Sequence, residues 1–391
     1  MSNTTAKTDS RPLRVLHVLS MLHNGGGEKW VVDLCQAGKL ENISSDIAVA
    51  WQKNGLFFEI ARERGIPVYH CEGGRNPWKF IRNLRKLLRD HGPYDTVHCH
   101  LHAFGSFAML AARLEGVPVR ILHSHNVVGN SSGPLRRRAY MAVTRALIRT
   151  YATGGIGPSS ASTADLFGQD FRKDPRWRVL PYGIDLAPFR ALIGAKSSRA
   201  ALGIPPDAFL LGSVGRLDPE KNSEFLVDVL AAVLKLRADA YLLLIGEGPL
   251  REKLERKARE GGYSDRLILP GVRADVAALL RSVIDVFVFP SPSPPRGNEA
   301  LPLAVTEAQA AGLPCVLSDG IPPESILVPN LILQIKADAG PDKWAEAVIL
   351  QTRPRDSEVA RRALELIEKT PHNCAVNIKT LAALYRGEQA T

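Results

Sequence analysis

The chain has 391 residues, of which 45% are hydrophobic and 23% charged, which indicates a globular protein with two domains. These ordinary fractions also argue against a disordered or fibrous chain. No apolar run approaches the ~18–20 residues of a membrane-spanning helix, so we do not expect an integral membrane protein. The chain has a net charge of +10, which comes from residues 1–180, with 25 Lys and Arg against 14 Asp and Glu (+11), while residues 181–391 carry 25 against 26 (−1). This asymmetry predicts an anionic partner for the first half.

The cysteines and the N-terminus both favour a cytoplasmic location. Residues 1–12 are polar and lack the apolar stretch of a secretion signal. The cysteines are scattered and form no C-x-x-C pair, which favours a reducing compartment over a disulfide scaffold or a cysteine-rich zinc module. We expect all five to be buried hydrophobic side chains: Cys35, Cys71, Cys99, Cys315 and Cys374.

The first half alternates short apolar runs with stretches of helical periodicity. A predicted strand at residues 14–20 leads into the glycine loop at residues 25–27 and then into a helix. Alternating strands and helices predict a parallel, doubly wound sheet. Its other strands are predicted at 46–51, 68–70, 96–100 and 119–123, and two of its helices at 57–64 and 77–90.

The same alternation restarts in the second half. The turn-rich residues 181–185 predict a hinge, and residues 357–386 predict a final helical segment. The predicted strands are 210–215, 241–245, 267–269, 286–289 and 315–317, and the predicted helices are 223–236, 249–260, 275–282 and 302–311. The predicted fold class is therefore α/β, with two doubly wound Rossmann-like domains that face each other across a cleft.

Two loops carry residues suited to binding an anion. Gly25 and Gly26 allow close approach of the backbone, and the following helix offers its N-terminal amides, although a plain strand-to-helix turn explains this loop equally well. Arg216 and Lys221 lie five positions apart beside small residues at a predicted helix start. Two fixed cations with backbone amides can hold a departing diphosphate, and a solvated loop is the alternative.

Two carboxylates flank an apolar stretch of the second half. Pro302 predicts the first turn of a helix, which places Glu299 in the preceding loop and Glu307 about one and a half turns into the helix. Both side chains can then face the cleft. Glutamates at this spacing are more commonly surface residues, so the pair alone is a weak signal.

Histidines follow two predicted strands in pairs, which favours at least one of them facing a ligand. The four are His98, His100, His123 and His125. Because no acidic or cysteine ligand accompanies either pair, we predict no metal site.

Basic amphipathic helices supply much of the positive charge. Residues 77–91 have one apolar face, and residues 135–149 begin with three consecutive arginines. Such helices predict contact with anionic lipid headgroups, with a solvated helix packed on the sheet as the alternative. The cations concerned are Arg82, Arg85, Lys86, Arg89, Arg136, Arg137 and Arg138.

The chain resembles the family 4 glycosyltransferases of the GT-B fold, and within them the bacterial exopolysaccharide type. The resemblance covers nearly the whole chain, and so many ordered matches are specific for the family but not for a substrate. The motifs that carry it are residues 25–28, 123–126, 214–222, 244–249, 269–275, 285–291 and 307–315.

This resemblance implies roles for individual residues. Arg216 and Lys221 would clamp the donor diphosphate, and His125 would approach the transferred sugar. Glu299 would lie near the donor sugar and Glu307 at the nucleotide ribose. The other donor-side residues implied are Gly25, Gly26, Gly215, Val272, Arg273, Ala300 and Leu301. His100 and the seven cations named above would lie on the acceptor or membrane side.

The resemblance also implies how the domains divide the reaction. Residues 1–180 would bind the acceptor, residues 181–356 would bind the nucleotide sugar, and residues 357–391 would cross back to the first domain. The reaction implied is transfer of a hexose, with retention, from a UDP- or GDP-linked sugar to a lipid-linked or growing saccharide in cell-surface polysaccharide biosynthesis.

No cofactor, bound metal or nucleic acid is expected, and the protein would lie peripherally on the inner face of the plasma membrane. Three alternatives stay open. They are a nucleotide-sugar epimerase of similar fold, a glycogen-type phosphorylase, and an inactive scaffold in a polysaccharide-assembly complex.

Departures from the family pattern bear on the donor sugar. The run at residues 290–299 is longer than usual, and Ala300 stands where glycine is expected. Alanine keeps the backbone N–H, but a positive φ there would be costly. Tyr182 occupies a hinge position where asparagine is commoner.

Overall fold

The computed structural model describes residues 11–23, 25–51, 55–74, 76–127, 135–191, 199–292, 299–354 and 356–388. These residues form two separate parallel sheets, each covered by helices on both faces. The predicted pair of doubly wound domains is therefore confirmed. The stretched run before Glu299 lies largely at residues 293–298, outside the described residues.

The first sheet has the strand order β3-β2-β1-β4-β5-β6-β7. Its strands are β1 Leu13–Leu19, β2 Ile43–Val49, β3 Val68–His70, β4 Thr96–Cys99, β5 Val119–His123, β6 Gly154–Gly157 and β7 Trp177–Val179. Its helices are α1 Gly26–Gly38, α2 Leu56–Glu63, α3 Pro77–His91, α4 Ser106–Leu114, α5 Leu135–Tyr151 and α6 Ser160–Phe167.

The second sheet has the strand order β10-β9-β8-β11-β12-β13. Its strands are β8 Phe209–Val214, β9 Ala240–Ile245, β10 Leu267–Gly271, β11 Val286–Phe289, β12 Cys315–Ser318 and β13 Ile332–Ile335. The helices of this half are α7 Ala187–Ala191, α8 Ser223–Leu236, α9 Arg251–Glu260, α10 Val276–Ser282, α11 Leu303–Ala310, α12 Pro341–Gln351, α13 Ser357–Glu368 and α14 Cys374–Tyr385.

The central strands are apolar along their whole length because helices cover both of their faces. Every residue of β9 and of β11 is buried. Such continuous apolar runs are typical of parallel sheets, whose crossover helices shield both sides. In β1, Leu16 and Val18 pack with α3, α4 and α5, while Val15 and Leu19 pack with α1 and α2. The basic helices α3 and α5 therefore lie on the face opposite α1.

Helix α3 begins where its sequence specifies a start. The Asn76 side chain accepts hydrogen bonds from the backbone N–H groups of Trp78 and Lys79, and Pro77 occupies the first helical position. Phe80, Leu84 and other apolar side chains of α3 are buried on the sheet.

The last helix, α14, packs on the first half of the chain. It lies against α1, and its Tyr385 hydroxyl is 2.7 Å from His98 Nδ1. The Thr96 hydroxyl donates to the Tyr385 carbonyl oxygen at 3.0 Å. At the hinge, a Cβ on Gly183 would lie 2.7 Å from the Cα of Cys374, so the two segments are in backbone contact.

Several elements differ from the sequence-based prediction. The single helical segment predicted at 357–386 is two helices, α13 and α14. Strands β6, β7 and β13 and helix α12 were not predicted. All five cysteines are buried and free, as expected. None of the helices in the described parts of the chain is long and apolar enough to cross a membrane.

Candidate functional site

The candidate site lies between the two sheets, at the loops that follow the carboxyl ends of β1, β5 and β8. Parallel sheets bind ligands at this edge. A β-bridge between Asn126 and Glu299 joins the two halves directly. Residues predicted from separate motifs therefore meet in one cleft.

The glycine loop brings the N-terminus of α1 against the second half. Gly25 has an extended backbone and precedes the first turn of α1. A Cβ on Gly26 would lie 3.5 Å from Leu303 Cδ1, and one on Gly27 would lie 3.6 Å from His125 Nδ1. The first amides of α1 thus open beside both His125 and the start of α11, as an anion site requires.

Lys221 lies at the centre of the predicted diphosphate clamp. Its ammonium contacts the Glu299 carboxylate, and its side chain lines a pocket with Gly215, Arg216 and Phe289. Burial lowers the pKa of Lys221 to about 8, although the negative charge of Asp218 acts to raise that pKa. Because this pKa lies above 7, we expect an ammonium at neutral pH.

Arg216 lies at the open side of this pocket, with 57% of its side chain exposed. Its guanidinium is 2.7 Å from Asp218 and 3.3 Å from Glu220. Burial raises the pKa of Glu28, in the first turn of α1, and the positive charge of Arg216 opposes that shift. The charge of Arg216 therefore acts on the first turn of α1 as well as on the carboxylates of its own loop.

Gly246 allows two loops of the pocket to meet. It has φ +141°, and a Cβ there would lie 2.0 Å from the carbonyl oxygen of Gly215. The Gly215 N–H donates to the carbonyl oxygen of Ile245 at 3.0 Å. A side chain at position 246 is therefore excluded by the backbone that lines the pocket.

Glu307 is paired across the cleft with a residue that the sequence analysis did not identify. Lys29 Nζ is 3.4 Å from Glu307 Oε1 and 3.0 Å from Asp33 Oδ2. Burial disfavours the Lys29 ammonium, but these two carboxylates outweigh it and raise the pKa of Lys29. The pair links α1 of the first half to α11 of the second.

His125 is held by the hinge and by a second histidine. Its Nδ1 is 2.5 Å from the Tyr182 hydroxyl, and its Nε2 is 2.7 Å from His100 Nδ1. Burial lowers the pKa of His125 to about 3, so the ring is neutral. The other nitrogen of His100 is 3.2 Å from His17 Nδ1, so His100 connects His125 to the interior of the first sheet.

The remaining predicted donor residues form two pairs, of which one lies apart from this set of contacts. Val272 is exposed just after β10, and Arg273 pairs with Asp275 at 2.7 Å. Ala300 and Leu301 are buried between Glu299 and α11. The structure thus connects Glu299, Lys221 and the glycine loop, while Val272 and Arg273 make no contact with them among the contacts of the described residues.

The predicted basic surface is partly neutralised. Glu115 at the end of α4 binds Arg85 at 2.6 Å and Arg89 at 2.9 Å, and Lys86 pairs with Asp90 at 2.5 Å. The other four predicted cations are mostly exposed. Arg82 on α3 and Arg136 and Arg138 at the start of α5 are exposed, and Arg137 is half-buried.

Comparison with known proteins decides the family. Residues 25–183 match the model for a glycosyl transferase 4-like domain, and residues 195–353 match the model for glycosyl transferases group 1. A putative glycosyltransferase EpsF of Bacillus subtilis is 33% identical over 93% of this chain and 92% of its own. The chain belongs to the GT4-type glycosyltransferases.

Other relatives of this glycosyltransferase agree with its fold. An Escherichia coli relative, UDP-Gal:alpha-D-GlcNAc-diphosphoundecaprenol alpha-1,3-galactosyltransferase, is 30% identical over 62% of each chain. The structure of Anabaena Alr3699/HepE in complex with UDP and glucose matches 95% of this chain and 98% of its own, with TM-score 0.74 and 17% identity. WaaG, from lipopolysaccharide biosynthesis, matches 96% and 100%, with TM-score 0.69 and 17% identity.

The Lys29–Glu307 pair provides a test of the donor side of this glycosyltransferase. Glu307→Gln should lower kcat/KM for the nucleotide sugar about 10-fold, mainly through KM, because a hydrogen bond to a charged group contributes about 1.5–3 kcal/mol. Initial rates at varied donor concentration measure this. Glu346→Gln on the exposed face of α12 is the control. An unchanged donor KM would remove Glu307 from the donor site.

Proposed function

We propose that this glycosyltransferase moves a hexose from a UDP- or GDP-linked sugar, with retention of anomeric configuration, to a lipid-linked or growing saccharide acceptor in cell-surface polysaccharide biosynthesis. The observation that carries the proposal is the contact between Lys221 and Glu299 beside the pocket of Gly215 and Arg216. This contact supports the proposal because a cation suited to a diphosphate lies next to a carboxylate suited to a sugar hydroxyl.

Electrostatic stabilisation of the leaving group is the core of the proposed mechanism. As the glycosidic bond breaks, negative charge grows on the diphosphate, and Lys221, Arg216 and the first amides of α1 stabilise it. The acceptor hydroxyl attacks from the same face and passes its proton to the departing diphosphate. We assign no enzymic nucleophile, since Glu299, the carboxylate nearest the clamp, is engaged by the Lys221 ammonium.

His125 is proposed to approach the transferred sugar. Its neutral ring is oriented by Tyr182, whose hydroxyl lies 2.5 Å from Nδ1. We further propose that transfer needs no bound metal, because Arg216 and Lys221 supply the positive charge at the diphosphate. Transfer that persists in a chelating buffer supports this, and transfer that requires added Mg²⁺ or Mn²⁺ contradicts it.

The relatives support the donor and acceptor classes proposed here. The Escherichia coli relative is named for a UDP-linked donor and a diphosphoundecaprenol acceptor, and the Anabaena protein was crystallised with UDP and with UDP-glucose. The lipopolysaccharide protein WaaG is of the same fold.

A panel of nucleotide sugars tests the reaction. Incubation of the protein with UDP- and GDP-hexoses should release nucleoside diphosphate only when a lipid-linked or oligosaccharide acceptor is present, and product NMR should show the donor's anomeric configuration. Isomerised sugar without acceptor would indicate the epimerase alternative. A pyridoxal phosphate absorbance band would indicate a phosphorylase. Donor binding without turnover across the panel would indicate the scaffold.

We also propose that the face formed by α3 and α5 binds the anionic inner surface of the plasma membrane. Exposed arginines on this face belong to the half of the chain that carries the positive excess. Each Lys or Arg near an anionic leaflet contributes about 1 kcal/mol, so three or four suffice for reversible binding. The ion pairs of Arg85, Lys86 and Arg89 reduce their share, which leaves Arg82, Arg136 and Arg138 as the principal cations.

Sedimentation with lipid vesicles measures whether the protein binds an anionic membrane surface. The protein should bind phosphatidylglycerol vesicles, bind neutral vesicles weakly, and dissociate at high salt, because the Debye length falls from ~10 Å at 0.1 M to ~3 Å at 1 M. Replacement of Arg82, Arg136 and Arg138 by Gln should weaken binding. The same change at Lys235, Arg256 and Arg259, exposed cations of the second half, should not. Equal binding of both triple variants would contradict the assignment of this face.

A further inference from the structure

Five histidines from three neighbouring strands meet beneath the cleft. His17 lies in β1, His98 in β4 and His123 in β5, and His100 and His125 follow the ends of β4 and β5. The strands are adjacent in the order β1-β4-β5, and His17 is the register partner of His98. Three of the rings are fully buried, and those of His100 and His125 are partly exposed.

The hydrogen bonds of the cluster form two rows that end without a partner. One row runs from the Tyr182 hydroxyl through His125 and His100 to His17 Nδ1, and the other from the Tyr385 hydroxyl through His98 to His123 Nδ1. His17 Nε2 and His123 Nε2 are buried and have no hydrogen-bond partner among the residues that the structure describes.

Tautomer choice alone cannot satisfy these two atoms. A neutral imidazole has one N–H, and each contact between two rings uses one donor and one acceptor. Whether the rings of a row donate toward its buried end or away from it, one nitrogen of the last ring keeps either an N–H without an acceptor or a lone pair without a donor. An unmet buried polar group costs about 1–3 kcal/mol, so each row ends on a group that would gain from a ligand.

The cluster supplies the donor set of a three-histidine metal site. One ring nitrogen from each of His100, His123 and His125 lies within 4.8 Å of the others. Among them, His123 Nε2 has no hydrogen-bond partner among the described residues. Three neutral imidazoles with a fourth position left to water is an arrangement that Zn²⁺ adopts in proteins.

We propose that His100, His123 and His125 form a binding site for Zn²⁺. Each of these rings has a partner for its other nitrogen: Tyr182 for His125, His17 for His100 and His98 for His123. Such partners fix the tautomer and orientation of metal-binding histidines. No metal site was predicted from the sequence because no acidic or cysteine ligand accompanies either histidine pair, but the pairing of β4 with β5 brings three histidines together without one.

A second triad in the cluster is less suited to an ion. His17, His98 and His100 also place one nitrogen each within 4.8 Å. His17 and His98 are fully buried, whereas in the proposed triad His100 and His125 are partly exposed at the cleft and His123 Nε2 has no hydrogen-bond partner among the described residues.

Binding of Zn²⁺ here would oppose the proposed transfer rather than assist it. The ion would occupy a lone pair of His125, the ring proposed to approach the donor sugar. This consequence rests on the proposed function, whereas the binding itself does not. The test therefore measures metal binding without substrates.

Titration with Co²⁺ tests the site directly. The full chain, freed of any affinity tag and treated with a chelator, should bind one equivalent of Co²⁺ with the visible d–d bands of a four-coordinate site of three nitrogens and one water. One equivalent of Zn²⁺ should remove those bands. A wild-type protein that shows no such bands and retains no Zn²⁺ after equilibrium dialysis overturns the proposal.

Three variants assign the ligands. His123→Gln should abolish the bands, and His372→Gln, a buried histidine outside the cluster, should leave them unchanged. His17→Gln should keep one equivalent with an affinity lowered no more than ~10–100-fold, the effect of losing a partner of a ligand. Circular dichroism confirms folding, and His100→Asn replaces His123→Gln should that variant unfold. Bands that survive His123→Gln or His100→Asn, or vanish in His17→Gln, contradict this triad.

Discussion

Replacement of Lys221 by alanine is expected to lower turnover at least ~10²-fold, the scale of losing one preorganised group that stabilises transition-state charge. The ammonium is fixed against Glu299 beside the pocket of Gly215 and Arg216, so water cannot reproduce its position. The variant also leaves the Glu299 carboxylate next to the diphosphate without its cation. Single-turnover rates at saturating donor measure the effect on chemistry.

Lys253→Ala is the matched control for this variant. Lys253 belongs to the same half and pairs with Glu224 at 2.7 Å, but it lies on the exposed side of α9. Surface ion pairs contribute at most about 1 kcal/mol, so its turnover should be normal. Arg216→Ala should act in the same direction as Lys221→Ala. Near-normal transfer by both clamp variants would contradict the assignment of the diphosphate site.

Gly246→Ala is expected to lower the free energy of unfolding by about 3 kcal/mol or more, because the new Cβ would meet the Gly215 carbonyl oxygen at 2.0 Å. The backbone at φ +141° must change, and the loop that lines the pocket must move with it. Urea unfolding measures the stability, and titration with UDP or GDP should show weaker binding in the same variant.

Gly262→Ala is a control that separates the cost of a steric clash from the cost of a positive φ. Gly262 has φ +77°, and nothing lies within 4 Å of the Cβ that would be added. A left-handed alanine costs about 1–2 kcal/mol, and nucleotide binding should be unchanged. Equal losses of stability in the two variants would show that contact with Gly215 does not constrain the loop.

The sequence predicted the architecture because the central strands are apolar throughout and the helices between them are periodic. It failed where local composition contradicts the fold. Strand β6 has the sequence GGIG, which resembles a turn. Packing explains why glycine stands in this strand. A Cβ on Gly155 would lie 2.3 Å from Phe167 and 2.7 Å from Trp177, so only glycine lets those rings pack on the sheet.

The sequence predicted the residues of the candidate site that lie in local motifs, but not the pairings between residues remote in sequence. Glu299 lies before α11 and Glu307 lies within it, as their spacing and Pro302 indicated. Lys29 and His17 were missed because their partners, Glu307 and His100, are remote in sequence and no local pattern marks the pairing. Tyr182 was noted only as an unusual hinge residue, although a hydroxyl at that position was a signal for a hydrogen-bonding role.

The return of α14 to the first half determines where this chain can be exchanged with a relative. Tyr385 bonds to His98 and Thr96, so a helix near the end of the chain completes the packing of the first sheet. A chimera cut only at residue 180 would join one parent's first sheet to another parent's last helix. A functional exchange of first halves needs a second junction that carries Cys374–Tyr385 along with the first sheet.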